Sequence, residues 1–209
     1  MTESSAVVSR NPTYFPGDLH RALLDAAALA IEEMGPAGVS LREVARRVGV
    51  SHAAPAHHFG DKAGLFTALA TEGFELLGDA VRSAVAPDPH ALRRESLIDA
   101  GVAYVHFATT HRGHFEIMWR GDLLRNDDPD YLLAGAAAFD VLVEAVRAHQ
   151  ATGWAPGQDL VDVTLSAWVM VHGVATLHNS GALAVVRDRS PEEVARGLLR
   201  MHTRALEST

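Results

Sequence analysis

Apolar residues in this chain return every three or four positions, in blocks separated by glycine, proline and aspartate. That spacing is the mark of amphipathic helices. Leu23, Leu24, Ala27, Ala30 and Ile31 share one face and predict a helix from about Leu19 to Met34, with Asp18 as its cap and Gly35-Pro36 as its stop. Leu41, Val44, Ala45 and Val48 predict a shorter one, with Ser40 as N-cap and Gly49 where a helix end needs a left-handed residue. Ser51 is the expected cap of a further short helix ending near Phe59. Asp61 then caps a long helix from Lys62 to about Ala86, apolar on more than one side through Leu65, Phe66, Leu69, Phe74, Leu76 and Leu77.

Pro87-Asp88-Pro89 is a hard break. Beyond it the pattern predicts helices over about 90–110, 114–124, 130–150 and 159–179, and a last one entered through Ser190-Pro-Glu-Glu. No hairpin signal and no internal repeat emerge. The fold class is therefore all-α, with an arm over 1–13, a three-helix unit over 14–62 and a larger helical region over 63–209.

The stretch Ser40–Lys62 reads as a helix-turn-helix, whose second helix enters a DNA major groove. His52, Ala53, Ala54, Pro55, Ala56, His57 and His58 are small or polar, which suits close approach to base edges. The DNA-contact candidates are Ser40, Arg42, Ser51, His52, Ala53, His57, His58 and Lys62. Arg42 and Lys62 are assigned to phosphates; His52, Ala53 and His57 are assigned to bases. Lys62 is the only lysine of the chain and opens a helix, where exposed amides favour an anion. Double-stranded DNA is the implied partner.

Charge distribution refines this picture. The chain carries a net −8, with six Arg/Lys against seven Asp/Glu in residues 1–62 and twelve against nineteen in residues 63–209. Residues 40–62 are locally basic, so the molecule is expected to dock DNA by one end. No cysteine is present, which excludes disulfides and thiolate zinc sites. The N-terminus lacks a signal-peptide apolar core, and no run of ~18 apolar residues suggests a membrane span. The expected location is cytoplasmic, with no membrane partner.

The motifs Val39-Ser-Leu-Arg-Glu-Val-Ala, Gly49-Val-Ser, His58-Phe-Gly-Asp-Lys and Leu65-Phe resemble the DNA-binding half of TetR/AcrR-type regulators. Tyr14-Phe-Pro-Gly-Asp-Leu-His-Arg-Ala-Leu-Leu-Asp-Ala-Ala is similar to the first helix of one subgroup. Trp168-Val-Met-Val-His-Gly-Val-Ala-Thr-Leu resembles that subgroup's C-terminal signature, the WHG domain. The likeness is strong over residues 14–75 and carried elsewhere by that signature. It implies a dimeric repressor, released from a palindromic operator by a small ligand, with the long helix from Lys62 moving the two reading heads. One position departs: family members usually carry tyrosine three residues before the Phe, and Ala56 stands there.

Aromatic and polar-tipped residues crowd the region after Tyr104. Tyr104, His106, Phe107 and Phe115 are ligand candidates, as are Met118, Trp119, Phe139 and His172; Phe107, Phe115, Met118 and Trp119 give shape, and His106 and Tyr104 hydrogen bonds. Plain core packing is the alternative for all of them. Trp168, His172, Ala175 and Leu165 share a helical face. Trp168 and Ala175, with Val194, Leu198, Met201 and His202 of the last helix, are the candidate dimer interface. Trp168 and His172 could equally face the core or the ligand. His106, His111 and His114 could in principle bind zinc or nickel, but their spacing is poor; no metal or cofactor is assigned.

No catalytic signature appears: there is no cysteine nucleophile, no Gly-x-Ser-x-Gly, no phosphate loop and no His-Glu-x-x-His. The function expected is a ligand-responsive DNA-binding regulator. The alternatives are a helical adaptor that has lost DNA binding, as Pro55 and Ala56 would suggest, or a small helical enzyme with a histidine base.

Overall fold

The computed structural model describes residues 16–85, 94–186 and 188–207; the arm at 1–13 and the Pro87-Asp88-Pro89 break lie outside them. The described residues form helices without a strand. α1 (Pro16–Gly38) is longer at both ends than its pattern predicts. Its regular helix does stop where Gly35-Pro36 predicts: Gly35 takes φ 70° and ψ 165°, outside the helical region, and a short second helical stretch follows across that kink to Gly38.

α2 (Leu41–Val48) has the predicted bounds. The Ser40 hydroxyl accepts from the Glu43 N–H at 3.2 Å, and losing such a cap costs about 1 kcal/mol. Gly49 sits at φ 76° and sends its N–H back to the Ala45 carbonyl, so the chain reverses without strain. α3 (Ala54–Phe59) corrects the expectation. Ser51 does not cap it with its side chain; the helix starts after Ala53, and Ser51 contributes only its carbonyl, to the Ala54 N–H at 3.0 Å. Pro55 explains the shift. Its missing N–H is harmless only in a first turn, so the helix begins just before it.

α4 (Lys62–Ala84) is capped by Asp61, whose carboxylate accepts from the Gly64 N–H at 2.8 Å. α5 (Arg94–Thr110) follows, and then α6 (Arg112–Met118), which starts earlier and ends earlier than the pattern predicts. The predicted breaker Gly113 lies inside α6 because it is where α6 presses on α1: a Cβ there would sit 2.2 Å from the Ala28 carbonyl oxygen. α7 (Pro129–Gln150) and α8 (Leu160–Asn179) are capped by Asp128 and Asp159. A short 3₁₀ helix (Ala182–Val186) leads towards α9 (Pro191–Glu207). Ser190 and Glu193 exchange side-chain-to-backbone bonds of 3.1 and 2.8 Å, a reciprocal capping box.

One contiguous buried cluster runs from Leu23 of α1 to Leu199 of α9. The head (α1–α3) and the C-terminal helices therefore share a core, and the boundary expected at residue 62 falls at the first residue of the helix that joins them. A second, small cluster packs Val146, Trp154, Ala155 and Val163, with the Trp154 indole N–H on the Thr203 carbonyl at 3.2 Å. Among the described residues, α8 alone is long and apolar enough to cross a membrane by length and composition. Here it packs against α5, α7 and α9.

Candidate nucleic-acid interface and ligand cavity

The tight Gly49 turn holds α3 against α2 and leaves its polar side outward. Ser40, Arg42, Ser51, His52, Ala53, His57 and His58 are all exposed, while Pro55 and Phe59 face inward. The basic residues of α2 divide into two kinds. Arg46 and Arg47 both bind Glu43, at 2.7 and 2.9 Å, and Arg47 reaches Glu33 of α1 at 2.6 Å. Hydrogen bonds from Arg46 and Arg47 hold the Glu43 carboxyl down to about 2. Arg42 has no ion-pair partner among the described residues. The local positive charge offered outward is therefore Arg42 together with whatever protons the histidines carry.

Lys62 departs from its assignment. Its half-buried ammonium donates to the Pro36 carbonyl at 2.8 Å and lies 5.1 Å from the centre of the Phe66 ring. Its first role is to tie the start of α4 to the kinked end of α1, and the local helix-end argument for a phosphate could not see that carbonyl. His20 of α1, outside the assigned set, joins the surface by packing on Phe59 and His58, with ring centres 4.8 and 6.1 Å away.

Arg125, from the turn between α6 and α7, reaches back to the head. Its guanidinium lies 3.0 Å from the Asp61 carboxylate and 3.5 Å from the Phe59 carbonyl, and its backbone N–H donates to the Thr67 hydroxyl at 2.9 Å. Gly64 makes room for it, since a Cβ there would meet the guanidinium at 2.9 Å and the Phe59 carbonyl oxygen at 2.0 Å. Sequence reasoning missed Arg125, because nothing local marks a contact made across more than sixty residues. Further along, Glu72 of α4 is shared by His114 at 3.1 Å and Arg21 at 3.5 Å. The His114 hydrogen bond holds Glu72 below the usual carboxylate range despite burial.

Between α4 and the C-terminal helices lies a partly open cavity of ≈ 350 Å³. Phe74 and Leu77 of α4, Tyr104 of α5, Trp119 after α6, Phe139 of α7 and Trp168 of α8 form its walls. Gly135, Ala138 and Leu142 continue it along the Phe139 side of α7. The Tyr104 hydroxyl is 2.8 Å from His172 Nδ1 and accepts from the Trp168 indole N–H at 3.3 Å. Burial holds the Tyr104 phenol well above and His172 below their ordinary values, so both are neutral at pH 7. A neutral His172 that accepts at Nδ1 carries its proton on Nε2.

Two family models cover the chain. Residues 23–69 match the bacterial regulatory proteins of the tetR family, and residues 97–202 match the tetracyclin repressor-like C-terminal domain. The chain belongs to the TetR family. A solved protein of unknown function from Rhodococcus sp. RHA1 is 34% identical, with 93% of this chain and 98% of that one covered, at a TM-score of 0.78. The TetR family regulator PfmR from Thermus thermophilus has the same fold, at 22% identity, 87% and 97% coverage and a TM-score of 0.70. The HTH-type transcriptional regulator BetI of Klebsiella pneumoniae (strain 342) is 39% identical over 83 residues, 39% of this chain. The chain spans 43% of the length of that relative. The family is one of transcriptional regulators, which sets the enzyme alternative aside.

Within this TetR-family fold the ligand candidates separate. Tyr104, Trp119 and Phe139 line the cavity, and His172 stands behind Tyr104. Phe115 packs behind them, 5.4 Å from His172. Met118 and Phe107 are core instead: Met118 fills the space left by Gly73, and Phe107 stacks on His111 at 4.9 Å. His106 points outward to Glu192 at 3.2 Å, because its position on α5 faces α9 rather than the interior. His106, His111 and His114 thus have different partners, and among the described residues no three metal-ligating side chains converge. Ala175, expected at a dimer interface, is fully buried within the chain. Trp168 is a cavity wall. His202 is half-buried, 3.1 Å from the Ser166 hydroxyl, while Val194 is partly buried and Leu198 and Met201 are exposed.

Proposed function

We infer that this TetR-family regulator is a repressor that binds a palindromic operator as a two-fold dimer and is released when a small, largely apolar molecule enters the cavity. The observation that carries this reading is the double use of α4. Its start abuts the head, with the Asp61 N–H on the Phe59 carbonyl of α3 and Lys62 on the Pro36 carbonyl of α1, and about three turns further on Phe74 and Leu77 form the cavity wall. A molecule that displaces that wall moves the helix on which the reading head is mounted. Likeness to an HTH-type transcriptional regulator supports DNA binding. The exposed apolar residues Leu165, Val169 and Leu177 of α8, with Leu198 and Met201 of α9, support pairing with a second copy. Ser40, Arg42, Ser51, His52, Ala53, His57 and His58 are the proposed contacts, Arg42 to phosphate and the α3 end to bases.

Selection from a pool of random duplex DNA at near-physiological salt tests this directly. The expected result is an enriched inverted repeat, whose spacing gives the separation of the two heads. Enrichment of nothing by the folded protein would favour the adaptor that has lost DNA reading at Pro55 and Ala56. Arg42→Ala is expected to weaken binding to all sequences and to lower the salt slope by about 1. A change confined to one base position would reassign Arg42. Equal operator affinity with and without a bound effector would remove the release step, because a ligand shifts states only by differential binding.

A further inference from the structure

We propose that operator binding is linked to proton uptake: His52 and His57 meet the DNA as imidazolium ions, so affinity rises as pH falls through the neutral range. This deepens the reading of the head as a DNA-binding surface and rests on it. The inference begins from a shortage of fixed positive charge. α3 carries neither lysine nor arginine. Around it, Arg46 and Arg47 are tied to Glu43, Arg47 also to Glu33, and Lys62 to the Pro36 carbonyl. Arg21 of α1 lies between Asp25 and Glu72, at 4.0 and 3.5 Å. Among the described residues of the head, Arg42 alone is a cation without such a partner. The whole chain carries −8, while duplex DNA presents a phosphate every ~1.7 Å of axis.

What the head offers in place of fixed charge is imidazole. His52 stands just before α3 and His57 in its last turn, both exposed. The chemistry of the target decides which protonation state fits. Phosphate oxygens, and O6 and N7 of guanine, only accept hydrogen bonds. A neutral imidazole has one donor and one lone pair, whereas the imidazolium has two donors and a charge. A titrating group in contact with an opposite charge favours its charged form by about tenfold or more. By reciprocity, a proton on the histidine strengthens DNA binding by the same factor.

The surroundings of α3 confine this linkage to His52 and His57. His58 and His20 line a cleft between the head and the rest of the molecule. Glu72 and Glu75 of α4 share that cleft, as do Asp128 and Asp130 at the start of α7, with Arg21 and Arg125. Protons on His58 and His20 therefore answer to carboxylates that are present with or without DNA. Of the other charged groups around α3, α2 brings Arg42 and the Glu43 cluster, and α1 brings Asp18 and Asp25. α4 brings Lys62 and its Asp61 cap, which is held by the Gly64 N–H and Arg125. Among the described residues no carboxylate is in ion-pair reach of His52 or His57. For these two rings the anion arrives with the DNA.

A fluorescein-labelled duplex carrying the inverted repeat retained at pH 6.5 tests this by anisotropy at pH 6.5 and 8.0, at one salt concentration. Affinity is expected to be at least about twentyfold higher at pH 6.5. The salt slope should be steeper there by about 2 per protomer, one phosphate for each protonated ring. Calorimetry at pH 7.5 in HEPES and in Tris, whose ionisation heats differ, should show uptake of about one proton per protomer on binding. The double variant His52→Gln/His57→Gln keeps a donor at each exposed position and cannot titrate. It should lose most of the gain at pH 6.5, although ten other histidines still protonate. Each single variant should lose about half of the proton uptake.

The proposal is overturned if the duplex binds alike at both pH values, if binding takes up no protons, or if the double variant keeps the parent pH dependence. Equal binding at both pH values leaves the DNA-binding reading standing and removes only the proton linkage. A folded protein that retains no duplex at either pH removes the DNA-binding reading itself.

Discussion

On the DNA-reading head, His20, His52, His57 and His58 are exposed, and α3 carries neither lysine nor arginine. In the C-terminal helices some histidines are turned inward instead. His172 gives Nδ1 to Tyr104, and His114 is buried on Glu72. One set faces outward, where a polyanion can meet it, and the other is held to fixed partners. Histidine chemistry here is decided by what lies around it, and that differs between two regions joined by a single helix.

The comparison breaks most visibly with Ala53→Glu. A carboxylate placed on the outward side of α3 faces the DNA charge and costs several kcal/mol of like-charge repulsion. Operator affinity measured by fluorescence anisotropy is expected to fall about a hundredfold, while effector binding in the cavity stays as it was. Loss of both would mean the two regions are not separable. Gly113→Val attacks the seam instead. The new side chain would meet the Ala28 backbone, and overpacking of that kind costs about 1–3 kcal/mol, or about 2–12 °C in Tm at this length. An unchanged melting curve would show that α6 does not bear on α1 as described.

Two smaller effects sharpen the contrast. Burial lowers His172 from its ordinary 6.5. On acidification the unfolded chain takes up a proton there first, so stability falls as pH drops below about 6.5 and levels off once the folded histidine also protonates. His172→Gln should remove that part of the acid loss in urea titrations between pH 7.5 and 5 (about 1 kcal/mol or less). An identical pH profile would show that burial does not lower His172 in the folded protein. Arg125→Ala removes the contact between the α6–α7 turn and the Asp61 cap. Exposed ion pairs contribute little to stability, so melting should barely change. Ligand-induced loss of operator affinity should shrink by about threefold, within the range for residues that couple two sites. An undiminished ligand response would assign Arg125 to packing alone.

The head was the more legible region because its determinants are local. The Ser40 cap, the Gly49 turn and the Asp61 cap each act within a few residues, and each stands where the pattern placed it. The starts of α1 and α3 moved, and for α3 the cause, Pro55, is also local. Lys62 shows the limit even there: the helix-end argument placed it on a phosphate, and a carbonyl twenty-six positions away claims its ammonium. In the larger region the pattern found the helices but not their facing. Phe107, Met118 and Trp119 lie close together in sequence, yet only Trp119 reaches the cavity. Trp168, which its helical face left open between dimer interface, core and ligand, is a wall of the cavity.

The amino-acid sequence by itself determined the helices, their caps and turns, the outward chemistry of the reading head and, through its motifs, the family. The tertiary structure alone decided which aromatic rings enclose space, which histidine backs Tyr104, that His106 faces Glu192 rather than the interior, and that Arg125 reaches the Asp61 cap. The physical reason is range. Hydrogen-bonded caps and backbone conformations act over three or four residues, whereas a cavity is a gap left between α4, α5, α7 and α8, fixed only when those helices pack.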